Sequence, residues 1–481
     1  MASRKRIVLC YVLLQASFWG MISSICAYQA AIVLDRGFTT GQAGIFCALC
    51  YLASLFTQPV IGGWADRHPS VPIKQLLIVM LLPAVALNLV FYFTRPGFAL
   101  TALIIFLFGV LETNSYPLID SMGMQYVNAG VKIPYSFARG MGSLTYAVLC
   151  VVTGLLTARF GMQAALLAHC AEQLLLIVCL LAFPSIPARL LPQPQAKSAS
   201  GHSIWQILKK NRVFTLMLIA CFFGMMGVMP ISNFLVSLVN SRGGGSTALG
   251  VAQFLMAASE LPSALVFGLL QKKMSSAKIL LISIIFMVVK PLLILASGSL
   301  GMLLAVQPVQ MLGYGLFFPA SVYFANESVD PADRVQGQSI RTILAISLST
   351  LLGSLVSGYL IDLGGTTLLL WFSTGCAFIG VLIALGALFL IAPVWQPQRP
   401  AAAYAPVTAA QNPAPEPELI DINTATAEEL TALPGLGPRK AAALVAYRIE
   451  HGAFASLADA AAVRGISLRM TESWAGLAAA K

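Results

Sequence analysis

Twelve long apolar segments run through roughly the first 392 residues, and they leave few folds open to the chain. A helix rises 1.5 Å per residue, so about 20 consecutive apolar residues cover the ~30 Å hydrocarbon core of a bilayer. The segments lie at 7–33, 40–64, 72–93, 97–123, 131–157, 163–184, 213–239, 246–270, 277–298, 301–326, 336–361 and 367–392. Helices of a soluble protein need a polar face for water, yet residues 76–87 are apolar on every side. Of the 481 residues, 58% are hydrophobic and 10% charged, with a mean hydropathy of +0.83. An ordinary soluble chain carries about 25% charged residues. The expected fold class is an all-α membrane protein with twelve transmembrane helices.

The longest break among the segments, 185–212, contains Pro187, Pro192, Pro194 and the basic run Lys209-Lys210-Asn211-Arg212. It divides the apolar region into six plus six, the arrangement of a carrier with two six-helix bundles about a central cavity. The predicted domains are an N-terminal bundle at 1–190, a cytoplasmic loop at 191–212, a C-terminal bundle at 213–392, a linker at 393–418 and a small soluble unit at 419–481. The linker expectation rests on its Pro, Ala and Gln content, which gives little to pack.

A net charge of +11 suits nucleic acid as a partner in principle, but its location argues otherwise. Arg4, Lys5, Arg6, Arg67, Lys74, Lys132, Arg189, Lys197, Lys209, Lys210, Arg212, Lys272, Lys273, Lys278 and Arg334 fall on one side of the twelve-span layout. Only Arg36, Arg95, Arg159 and Arg242 fall on the other. Basic loops stay in the cytoplasm, so both termini are predicted to be cytoplasmic in a multi-pass protein of the cytoplasmic membrane. The first segment starts at Ile7, is longer than a signal-peptide core and reads as a retained helix. The nine cysteines sit in or beside apolar segments and read as buried small side chains, Cys47-x-x-Cys50 included.

Charges inside the spans mark the candidate working site, because a lipid-facing charge is costly and such groups face a cavity or one another. They are Glu112 and Asp120 in the fourth segment, Arg139 in the fifth, Glu172 in the sixth, Glu260 in the eighth and Lys290 in the ninth. A desolvated carboxylate binds a proton and gives it up when a cation or water arrives, which suits proton coupling. Glu260 could instead be held by Asn233 or Gln253, and Pro291 is expected to loosen the helical turn at Lys290. Trp19, Tyr28, Tyr116 and Tyr314 offer faces for a ring-shaped solute, and Gln58, Asn114, Gln125, Gln307 and Gln310 offer hydrogen bonds. The chain has no P-loop, no paired metal ligands in the spans and no nucleophile-and-base spacing. No enzymatic activity, cofactor or metal is expected.

Between the second and third segments stands Gly62-Gly63-Trp64-Ala65-Asp66-Arg67, in which glycines permit close backbones and Asp66 and Arg67 can pair with a neighbouring helix end and release it on rocking. This motif resembles the signature of the major facilitator superfamily. Tyr116-Pro117-Leu118-Ile119-Asp120, Arg139-Gly140-Met141-Gly142-Ser143 and Arg334-Val335-Gln336-Gly337-Gln338-Ser339 resemble its lactose permease and phenylpropionate permease-like branch. The resemblance covers about 1–392 and implies that Asp120 and Glu260 contact solute. It also implies departures. The branch's R-x-R is Phe137-Ala138-Arg139 here, and Gly313-Tyr314-Gly315-Leu316-Phe317-Phe318-Pro319 lacks its histidine and glutamate. The scaffold therefore comes without galactoside recognition, and any coupled proton falls to Glu260, Glu112 or Glu172.

The tail reads differently. Ile422-Asn423-Thr424-Ala425-Thr426-Ala427-Glu428-Glu429-Leu430 starts a helix that Thr424 or Thr426 can cap, and Leu433-Pro434-Gly435-Leu436-Gly437 makes a tight turn into a second helix. With Tyr447, Arg448, Gly452 and Phe454, the segment resembles the helix-hairpin-helix module of competence DNA receptors. That resemblance implies DNA-phosphate contacts at Leu436, Gly437, Arg439 and Lys440. Against strong binding, Arg439, Lys440, Arg448, Arg464, Arg469 and Lys481 are balanced by Asp421, Glu428, Glu429, Glu450, Asp459 and Glu472. A weak DNA contact or a cytoplasmic protein partner is expected.

The leading expectation is a monomeric secondary carrier, in contact with membrane lipids, that moves a small polar or amphipathic solute by alternating access, as a proton symporter. A proton-driven exporter and a membrane-anchored DNA receptor are the alternatives.

Overall fold

The computed structural model describes residues 4–68, 70–128, 131, 133–184, 203–330, 333–391, 420–474 and 477–480. The predicted linker 393–418 and most of the loop 191–212 lie outside them. Two compact units emerge, 1–403 and 404–481.

Among its described residues the first unit has helices as its only regular elements. Eleven described helices are long and apolar enough to cross a membrane: Arg4–Asp35, Thr40–Ala65, Ile73–Phe93, Phe98–Val127, Phe137–Phe160, Gln163–Ala182, Arg212–Asn233, Ser246–Gln271, Ser276–Ala296, Leu300–Ser328 and Gln336–Phe389. The last spans 54 residues, about 80 Å if straight. It is not straight: Gly364 (φ −144°, ψ 20°) and Gly365 (φ 67°, ψ −168°) leave helical geometry. A positive φ of this kind is open to glycine at little cost, so the break falls between the segments predicted at 336–361 and 367–392.

Large apolar side chains such as Phe56, Val79, Phe93, Leu265 and Leu363 are exposed, the outward surface that hydrocarbon calls for. Inside, one apolar cluster joins Tyr11, Leu81, Ile119 and Leu176 from the first half of the chain, and a second joins Phe214, Leu280 and Phe324 from the other. A third draws on both halves, with Phe46 and Phe91 beside Phe234, Leu249 and Leu369. The halves also meet through backbone. A Cβ on Gly44 would come within 2.6 Å of Ser354 O, so only a residue without one allows this approach. At the start of the helix Thr40–Arg67, Asp362 accepts from Gly41 N at 2.7 Å and from Thr40 N at 3.1 Å, capping that helix from the opposite half.

Several spans are interrupted. Phe98–Leu111 gives way at Glu112 to a turn before Ser115–Asn128, and Ser246–Glu260 is separated by Leu261 and Pro262 from Ser263–Gln271. A 3₁₀ segment, Gln307–Met311, divides Leu300–Val306 from Tyr314–Ser328, and the π-helical Thr342–Leu348 follows Arg341. Irregular backbone in a membrane is tolerated where protein or water satisfies it, and it is common at functional sites. By contrast, the helix Ser276–Ala296 runs unbroken through Pro291, which corrects the expected loosening at Lys290.

The second unit has its own core, with Ile422, Leu430, Leu433, Leu436, Leu444, Phe454 and Trp474 buried together. Short helices Ala427–Leu430, Pro438–His451 and Leu468–Glu472 are tied at the ends by a two-stranded parallel pair, Ile420–Asp421 with Ala478–Ala479. Of the two candidate caps, Thr426 is the one used: it forms a capping box with Glu429.

Candidate functional site

The intramembrane charges gather in two places. In the first, Asp120 is held from both sides, accepting from Gln15 Nε2 at 2.8 Å and from Tyr135 Oη at 2.9 Å. Gln15 also donates to Tyr11 Oη at 2.9 Å. Arg139 lies 3.8 Å above the Trp19 ring and donates to Ser143 Oγ at 3.0 Å. Trp19 and Tyr116 meet edge to face with centroids 5.6 Å apart. Asp120 and Arg139 interact electrostatically, and the two are not joined by an ion pair among the described residues. A carboxylate, a guanidinium and two aromatic faces that leave hydrogen-bonding capacity unspent can together hold a polar ring.

From the other half come Glu260, Lys290 and Gln310. Lys290 is 1% exposed and donates to Gln310 Oε1 at 2.7 Å. Glu260 interacts with both the Lys290 charge and the Gln310 side chain. Asn233, considered above as a partner of Glu260, donates instead to Ser354 Oγ at 2.7 Å. The Glu260 group and the Arg139 group are electrostatically linked, since Arg139 acts on Glu260 and Tyr314 interacts with Glu260, Arg139 and Tyr116.

Sequence reasoning missed Arg341. It is 8% exposed, just ahead of the π-helical segment, with neutral partners: Gln338 Oε1 at 2.9 Å, Ser321 Oγ at 3.1 Å and Thr342 Oγ1 at 3.3 Å. Tyr116 interacts with it from the first half of the chain. A basic residue inside the eleventh apolar segment was the available signal.

Glu112 and Glu172 stand apart from this group. Glu112 is 2% exposed and receives His169 Nε2 at 3.1 Å and Gln173 Nε2 at 2.6 Å. Glu172 faces Ser24 and leaves Oε2 buried without a hydrogen bond among the described residues. His169 was also missed, though Glu172 and Gln173 follow it at helical spacing.

Of the signature between the second and third spans, Gly62 and Gly63 lie inside the helix Thr40–Arg67, and a Cβ would meet nothing within 4 Å at either. Arg67 Nε donates to Gly63 O at 2.9 Å, and the side chain of Asp66 lies outside the described residues. In the other half, Lys210 pairs with Asp330 at 2.5 Å, and the hydrogen bond and charge of Asp330 raise the Lys210 ammonium above its ordinary range.

In the second unit the turn before Pro438 contains Gly435 at φ 78°. Leu436 N donates to Leu433 O at 3.1 Å, while Gly437 and Arg439 are exposed and Lys440 is half-buried. Arg448 is committed internally, donating to Ile422 O at 2.6 Å and Ala425 O at 2.7 Å.

Residues 8–372 match the MFS_1 like family, and residues 416–478 match a helix-hairpin-helix motif. The maltose permease of Geobacillus stearothermophilus is 24% identical over 389 residues, covering 80% of this chain and 94% of the permease. ComE operon protein 1 of Bacillus subtilis (strain 168) is 48% identical over 54 residues, 11% of this chain and 26% of that protein. Among solved structures, the nucleoside transporter NupG superposes with a TM-score of 0.66 at 18% identity, covering 81% of this chain and 98% of that one. A mutant of NupG gives 0.69 at 17% identity, covering 81% and 100%. The likeness to these structures is one of fold.

Proposed function

The chain belongs to the MFS_1 like family, and from that premise we propose that it is a secondary carrier moving a small polyhydroxylated solute by alternating access, as a proton symporter. In this reading the break at Gly364 and Gly365 separates two spans, giving twelve helices in bundles at 1–190 and 213–392 with both termini cytoplasmic. The observation that carries the proposal is a set of charged and aromatic side chains inside the spans, Asp120 and Arg139 with Trp19 in one half and Glu260 with Lys290 and Gln310 in the other, Glu260 ending its helix at an interruption. Such breaks near mid-membrane are where carriers bind their cargo.

Asp120 and Arg139, with the faces of Trp19 and Tyr116, bind one side of the solute. Glu260, Lys290 and Gln310 bind the other. Rocking of the halves exposes this site to each side in turn, with Gly62, Gly63, Asp66 and Arg67 at the gating end. The solute class draws support from the names of two similar proteins, a maltose permease and a nucleoside transporter, whose cargoes are neutral, ring-shaped and rich in hydroxyls. The test is counterflow: purified protein in liposomes loaded with unlabelled maltose or uridine should concentrate the labelled compound without any ion gradient. Failure with both compounds counts against the solute class.

For the tail, we propose a weak nucleic-acid or protein contact through Gly437, Arg439 and Lys440, supported by the 48% identity to ComE operon protein 1 over 54 residues.

A further inference from the structure

We propose that Glu112, His169 and Glu172 form a proton-binding site in the first half of the chain, separate from the solute site; this rests on the carrier reading above. The argument begins with the imidazole. His169 Nδ1 lies 3.1 Å from Met21 O, and a carbonyl oxygen only accepts, so Nδ1 carries a hydrogen. The other nitrogen, Nε2, lies 3.1 Å from Glu112 Oε1. That contact needs a proton between them, held either as imidazolium against carboxylate or as carboxylic acid against neutral imidazole. With the proton gone, two lone pairs would face each other in a site where His169 is 0% exposed and Glu112 is 2% exposed.

Glu172 adds a second carboxyl. Its Oε2 is buried without a hydrogen-bond partner among the described residues, an arrangement costly for an anion. The other titratable groups that interact with the cluster are thiols, Cys26 and Cys50 with Glu112 and Cys150 with Glu172, and an ordinary thiol is protonated at neutral pH. The ion pair recorded here among the described residues is that of His169 with Glu112. Two carboxyls and one imidazole therefore reach electrical neutrality only by holding two protons besides the Nδ1 hydrogen, and releasing one leaves a net negative charge at buried side chains.

The placement ties this site to the solute. Glu112 opens the turn that interrupts the span Phe98–Val127, and Asp120 lies beyond that turn on the same span. Tyr146 interacts electrostatically with Cys150 and Cys26 and also with Glu260 and Tyr314. A shift of the broken span when solute reaches Asp120 alters the surroundings of Glu112, so proton and solute bind in linked steps.

The test uses the full-length protein. Infrared difference spectra between high and low pH should show carboxyl and carboxylate bands, of which one component is lost in Glu112→Gln and another in Glu172→Gln. In liposomes, the ratio of proton-gradient-driven uptake to counterflow, read with maltose and uridine, should fall about tenfold in Glu112→Gln. In Asp120→Asn both rates should fall together and their ratio should hold. Spectra of Glu112→Gln and Glu172→Gln identical to those of the unaltered protein would overturn the proposal, as would an unchanged ratio in Glu112→Gln. Absence of counterflow in the unaltered protein would count against the solute class alone, and the infrared result would still decide the proton site.

Discussion

Lys290 Nζ, 1% exposed, donates to Gln310 Oε1 at 2.7 Å, and the carboxyl that acts on it electrostatically is Glu260 on another span, with no direct ion pair between the two among the described residues. Removing one of two interacting charged groups leaves the other uncompensated, whereas replacing both by neutral groups is far milder. Lys290→Ala should therefore lower the thermal unfolding temperature of the detergent-purified protein markedly. Lys290→Met with Glu260→Gln should recover most of the loss. Equal temperatures for the single and double variants would refute the interaction.

Asp120 is aimed rather than buried in an ion pair, with Gln15 and Tyr135 fixing its two oxygens. A hydrogen bond from a solute hydroxyl to a charged acceptor contributes about 1.5–3 kcal/mol, so Asp120→Asn should weaken half-saturation of uptake by about 10- to 100-fold. Tyr135→Phe should give a smaller change in the same direction. Half-saturation values from counterflow check both.

The cap that Asp362 places on Thr40 and Gly41 joins the two halves at one end of the membrane unit. A cap of this kind is worth about 1 kcal/mol, which corresponds to roughly fivefold in an open-to-closed ratio. Asp362→Ala should raise maleimide labelling of a single cysteine placed at the buried Ala43. Unchanged labelling would show that the cap does not hold this end shut.

In the second unit, Glu429 accepts from Thr426 N at 2.8 Å and from Thr426 Oγ1 at 3.0 Å, and these bonds hold its carboxyl below the ordinary value. A depressed folded-state pKa means that the contribution is present above the unfolded value, about 4.3, and is lost as the pH falls through the folded value. Denaturant unfolding of the separately expressed unit 404–481 should lose stability on acidification in that window, less so in Glu429→Gln. Because Glu429 is fully exposed, the effect should shrink with added salt.

The legible parts of this protein were those written in runs of sequence. Residues 76–87 announced a span by being apolar on every face, and Asp120, Arg139, Glu260 and Lys290 stood out because charge is rare in such surroundings. What those residues touch was legible only in part. Lys290, a cation on the next span, does act on Glu260, but Asn233, the other candidate, donates to Ser354, and Gln310 takes its place beside Glu260. Pro291 suggested a break, and the helix Ser276–Ala296 instead continues through it. Glu112 gave no sign that it sits at an interruption, and the helical spacing of His169 with Glu172 and Gln173 did not point to Glu112, 57 residues away. Arg341 was readable as a basic residue inside the eleventh apolar segment, but the π-helical turn that follows it has no sequence signature comparable to a proline or a cap.

The most direct measurement is uptake by purified protein in liposomes under an imposed proton gradient, with maltose, uridine and a panel of other sugars and nucleosides. The expected result is gradient-dependent accumulation of one of these solutes by the unaltered protein and its loss in Asp120→Asn. Accumulation that persists undiminished in Asp120→Asn and in Glu260→Gln would contradict a solute site between the two halves.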